Sequence, residues 1–189
     1  MKRFAILRNL DPEMTRQDID SGAVETLISL SVQDIDPGAE FNPEITGVNW
    51  VRSYWAPGTS WGLCLYTGRD EEAIERYHSV CEVPFVTIRE VSETDSGVAE
   101  PHFGGAGSSE PAILAIEARM DGGPAEGKEW GALAASWVRS YTDTGEGTVV
   151  GLFRTDRLDI DAVKRRARTR GWTLHDIVEI RPSDYTGGD

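Results

Sequence analysis

No stretch of the sequence holds the roughly 18 consecutive apolar residues that a membrane-spanning helix needs. Cysteine is nearly absent: Cys64 and Cys81, both in the first half, are too few for a disulfide framework, and the reading is reduced thiols in a cytosol. The opening MKRFAILRNLDPE starts basic, but its apolar run is short and no cleavage pattern follows, so a cytoplasmic chain is expected. Basic charge is scarce as well, with 19 Lys and Arg against 32 Asp and Glu and a formal charge of -13. A surface of that sign repels phosphate backbones and anionic lipid, so neither nucleic acid nor membrane is expected as a partner. Sequence context marks no nucleophile, and GGAGSS at 104–109 lacks the Lys-Ser/Thr and the strand-to-helix setting of a phosphate loop. Hydrolase and nucleotide-dependent chemistry are disfavoured accordingly.

What the sequence does contain is one pentapeptide twice, WVRSY at Trp50 to Tyr54 and again at Trp137 to Tyr141. The likeness extends downstream. Gly62 to Val91 aligns without a gap on Gly151 to Ile180, and only the stretch between pentad and Gly-Leu differs, being two residues longer in the second copy. The chain therefore reads as two copies of one unit, each of a size that can just sustain a core. The expected domains are 1–91, a flexible linker at 92–110 that is rich in Gly, Ser and acid, a second copy at 111–182, and a tail at 183–189.

Within the first copy, residues 2–10 read as a strand ending at Asp11-Pro12. Thr15 then caps a helix with Ile19, Ala23, Val24, Leu27 and Ile28 on one face. GVNWVRSYW and WGLCLYT form a hairpin around Pro57 and Gly58, Asp70 to Glu72 open a second helix running to about Cys81, and PFVTIREV is the last strand. The order βαββαβ predicts an α+β fold, two tandem ferredoxin-like domains each with both helices on one face of an antiparallel sheet. Packing of the two as an intramolecular pseudo-dimer follows from the small size of each half, and further homo-oligomerisation stays open. The second copy adds a short helix near 125–133 and a helix from Asp159 to Thr169. That last helix carries Lys164 to Arg170, read as a solvated cationic face near a C-terminus, with Gly171 as its left-handed cap.

Three sets of side chains could carry chemistry. Ile74, His78 and Cys81 fall on one helix face, so His78 points at the sheet, either as a hydrogen-bonded core histidine or as a ligand contact; the second copy has Ala167 there. Cys64 lies mid-strand, and His78, Cys64 and Cys81 together offer soft donors suited to nickel, zinc or copper, or else the cysteines are small buried hydrophobes. Arg52 and Arg139 stand at alternate positions with Trp50, Tyr54 and Trp137, Tyr141, predicting an aromatic-Arg-aromatic row on one sheet face of each copy. Such a row stacks a ligand or does a structural job.

The run Trp50 to Val91, with WVRSY, Cys64 before Leu65-Tyr66, Asp70-Glu71-Glu72-Ala73-Ile74 and His78, resembles a family of small bacterial ferredoxin-like domains that includes a nickel-binding, nickel-responsive protein. The resemblance implies sheet-to-sheet pairing as a dimeric α/β barrel, here within one chain, and a divalent metal held by histidines. It carries the family's helix histidine onto His78 and its strand cysteine onto Cys64. Where the family's nickel binder has histidines on the first strand and in the pentad, this sequence has Arg8-Asn9 and Arg52. The functional expectation is binding rather than catalysis: a small molecule or divalent metal between sheet and helices of the first copy. Arg52, Tyr54, Tyr66 and His78 are the candidate ligand contacts, and His78, Cys64 and Cys81 the candidate metal ligands. The alternative is a cofactor-independent barrel enzyme of monooxygenase, isomerase or cyclase type using the same cavity.

Overall fold

A computed structural model describes residues 1–13, 47–80, 85–98, 113–120, 127–143, 145, 148–155 and 158–182. Among these the chain is α+β, with eight strands, two α-helices and one 3-10 helix. It divides into two compact units, one of residues 1–90 with 182–189 and one of residues 91–181. The helix expected from Thr15, as well as Cys81 and the tail after Pro182, lie outside the described residues.

In the first unit, β1 (Lys2–Asn9) lies between β3 (Trp61–Gly68) and the start of β4 (Thr87–Asp95), and β3 pairs on its other side with β2 (Asn49–Trp55). All three pairings are antiparallel, giving the order β4-β1-β3-β2. The β2–β3 hairpin turns over Gly58, whose φ of 72° is a conformation that glycine adopts without steric cost. Helix α1 (Glu71–Val80) starts where the Asp70 carboxylate accepts from the Ala73 N–H at 2.9 Å, satisfying a donor that has no partner within the helix. Its Ala73, Ile74 and Tyr77 are buried against Phe4, Ile6, Trp50, Cys64, Tyr66 and Ile88 of the sheet. One core cluster of this unit therefore lies between α1 and one sheet face, while Ala5, Tyr54, Leu63 and Leu65 are buried on the other.

The second unit repeats the plan. β5 (Ile113–Met120) lies between β7 (Thr148–Arg154) and β8 (Trp172–Pro182), and β7 pairs with β6 (Trp137–Asp143). Helix α2 (Ile160–Thr169) is capped by Asp159 and buries Val163 and Ala167, and Gly171 follows it at a φ of 73°, as its position in the sequence predicts. The short helix expected near 125–133 is a 3-10 turn, Gly127–Ala132, which drops Trp130 into the core beside Phe153 and Trp172.

Two expectations change. Residues 92–95, where composition predicts the start of a flexible linker, extend β4 and pair with β6 from Ser92↔Thr142 to Asp95↔Arg139. Backbone pairing needs no apolar side chain, and here Arg139 clasps Glu93 at 3.1 Å and Asp95 at 2.7 Å, so an acidic segment becomes a strand. The aromatic-Arg-aromatic row does not form. A β-bulge at Val51 separates Trp50, opposite Tyr66, from Arg52, opposite Leu65, and the second copy has the same bulge between Trp137 and Arg139. The extra residue shifts the alternation by one, so Trp50 and Arg52 point to opposite faces.

Candidate functional site

Strand alternation puts Phe4, Ile6 and Arg8 on the face that α1 covers, and pairing sets Phe4 opposite Tyr66 and Ile6 opposite Cys64. Arg8 is thus a charged side chain on the core face, and it is buried. Its Nε donates to Cys64 Sγ at 2.9 Å, and its Nη2 donates to His78 Nε2 at 2.8 Å and to the Tyr66 hydroxyl at 3.4 Å. One guanidinium gathers a thiol, an imidazole and a phenol from three elements.

The bulge completes the set. It returns Ser53 to the α1 face, where Ser53 Oγ accepts from the Trp50 indole N–H at 3.0 Å and donates to Cys64 Sγ at 3.0 Å. His78 reaches inward from α1, 1% exposed, and its Nδ1 lies 2.8 Å from the Ile74 carbonyl. A carbonyl only accepts, so Nδ1 carries the proton and Nε2 presents the lone pair that Arg8 occupies. Tyr66 and Tyr77 pack on the imidazole at centroid distances of 5.2 Å each, and the half-exposed Phe85 lies edge-on at 5.5 Å, on the outer side of the cluster.

Electrostatics follow from this packing. Burial, with the Arg8 cation adding to it, outweighs the Ile74 hydrogen bond and lowers the His78 pKa from 6.5 to about 4, so the imidazole is neutral near pH 7. Burial and the neighbouring Cys64 push the Tyr66 phenol well above its usual value, which keeps it a neutral donor and acceptor. For Arg8 burial works downward, but Cys64 and Tyr66 outweigh it and the guanidinium is held still more firmly as a cation.

Of the residues expected at the site, Tyr66, His78 and Cys64 come together. Arg52 and Tyr54, opposite Leu65 and Leu63, are on the other face of the sheet, and Cys81 is outside the described residues. Sequence reasoning notes Arg8 only as standing in the region where the resembled family's nickel binder has a histidine, and counts neither Arg8 nor Ser53 among the site residues. The signal for Arg8 was its place two residues after Ile6 on a strand whose alternate residues are core; Ser53 depended on a bulge that spacing does not reveal. Among the described residues no cluster of three or more His, Cys, Asp or Glu could hold a metal ion.

Among the described residues the second unit has no such cluster at the matching positions. Register places Ile116 opposite Gly151 as Arg8 is opposite Gly62, while Phe153 and Ala167 take the places of Cys64 and His78, all three apolar and buried. Gly151 is needed there because a Cβ would lie 2.5 Å from the Trp130 ring that fills the space.

Residues 4–91 match the model of a family described as nickel-responsive protein SCO4226-like. No curated protein matches the chain. Among solved structures, an anthrone oxidase-like protein is 12% identical with a TM-score of 0.39, over 97% of this chain and 93% of that one. A proposed monooxygenase from Lactobacillus acidophilus NCFM is 8% identical with a TM-score of 0.46, over 97% of this chain and 95% of that one. Among the described residues, no helix is long and apolar enough to cross a membrane.

Proposed function

We propose that the first unit is a binding unit, holding a small molecule between α1 and the sheet at Arg8, Tyr66 and His78. The observation that carries this reading is the contrast between the units: the same sheet order and helix enclose a polar cluster in one and Ile116, Phe153 and Ala167 in the other. Apolar residues satisfy this architecture, so a buried Arg, His, Cys and Tyr are not there for folding, and buried polar groups that folding does not need point to a site. The repeat and the shared strand order support reading each unit as ferredoxin-like.

The chemistry of the occupant follows from the donors. Tyr66 accepts from Arg8 and retains its own O–H to give, so the ligand offers an acceptor such as a carbonyl or carboxylate oxygen. Nickel, zinc or copper, the other class of occupant, does not fit this arrangement. Cys64 Sγ and His78 Nε2 are the soft donors, and both already face a guanidinium that does not deprotonate. The test is native mass spectrometry of protein purified without a histidine tag. We expect a non-metal adduct that Tyr66→Phe weakens; a bare polypeptide mass, together with no thermal shift from any small carboxylate or carbonyl compound screened, would rule the reading out.

A further inference from the structure

We infer that Arg8 is a built-in cation that occupies the donor pair Cys64 and His78, so that the first unit takes up no divalent metal until the guanidinium is removed. The inference stands on geometry alone and does not depend on the small-molecule reading. Nε and Nη2 are the two arms of one rigid fork; one meets the sulfur at 2.9 Å and the other the imidazole nitrogen at 2.8 Å. The Ile74 carbonyl fixes the imidazole with Nε2 inward, which is the orientation that second-shell hydrogen bonds impose on metal-bound histidines. Ser53 holds the sulfur from its other side at 3.0 Å. A thiol and an imidazole oriented by outer hydrogen bonds toward one point are a metal-type arrangement, and the positive group at that point comes from the chain itself. A divalent ion entering would meet a fixed positive charge at contact distance in a buried site, where repulsion is least screened.

The second unit indicates which variant removes the cation without loss of the fold, because Ile116 stands at the position of Arg8 there and is fully buried. The experiment titrates wild type, Arg8→Ile and Arg8→Met with nickel and zinc chlorides, following heat and, for nickel, the sulfur-to-metal absorption band. Wild type is expected to show no saturable uptake, whereas both variants bind at least about tenfold more tightly and show a band that a further Cys64→Ser change removes. Wild type binding as tightly as the variants would overturn the inference. So would folded variants that stay inert to metal. Failure of both variants to fold would also count against it, since it requires that this position tolerate an apolar side chain. None of these outcomes depends on whether an organic adduct is found.

Discussion

His78 has one ring nitrogen on a backbone carbonyl and the other on a permanent cation, so a second proton has no acceptor to meet. Its folded pKa of about 4 lies below the unfolded 6.5, and the unfolded chain therefore binds more protons between these values. The neutral histidine's contribution is complete above pH 6.5 and is lost as the pH falls toward 4, a difference of about 3 kcal/mol for this residue. Urea melts of wild type and His78→Ala across that window should converge as the pH falls, because the wild type, the more stable of the two near neutrality, loses stability more steeply. Parallel curves would show that the imidazole is not held neutral by its surroundings. The residue was legible from helix periodicity and from its replacement by Ala167. Its partner was less so, because the strand pattern marks Arg8 as inward-facing without saying what it meets.

At the scale of elements, the hairpins show how far a sequence pattern carries. The repeat predicted both hairpins, both following helices and the cap at Gly171, since turn residues and apolar spacing are local signals. It did not predict the bulges at Val51 and Val138, which depend on how the pentad strand meets its neighbour. Nor did it place the two extra residues of the second copy. Six residues separate the last paired positions in each hairpin, Trp55↔Gly62 and Thr142↔Val149, so the extra length shows as a change of register, Ser140 facing Gly151 where Ser53 faces Cys64. A shift by two keeps every side chain on its face. The glycines of this unit differ in kind, and substitution should separate them. Gly151→Ala forces a methyl to 2.5 Å from the Trp130 ring and should cost about 1–3 kcal/mol by overpacking. Gly171→Ala meets nothing within 4 Å and should cost only about 1 kcal/mol from its left-handed backbone. Equal losses for the two in chemical denaturation would mean that Trp130 yields easily.

Across the whole molecule, the second unit is the control for the first. Two units with one strand order differ in what lies under the helix, and the polar version brings together residues from β1, β2, β3 and α1 that no single stretch of sequence displays. If those residues serve binding, the first unit should fold with the residues that the second unit uses. His78→Ala alone takes one acceptor from a buried guanidinium and should cost about 1–3 kcal/mol, whereas adding Arg8→Ile removes the buried charge that lost it and should restore much of that loss. The most direct measurement is therefore thermal melting and native mass spectrometry of the Arg8→Ile/His78→Ala double variant beside wild type. We predict a folded protein melting within about 5 °C of wild type and lacking the bound adduct. A double variant that unfolds, or that keeps the adduct at wild-type occupancy, would contradict the account.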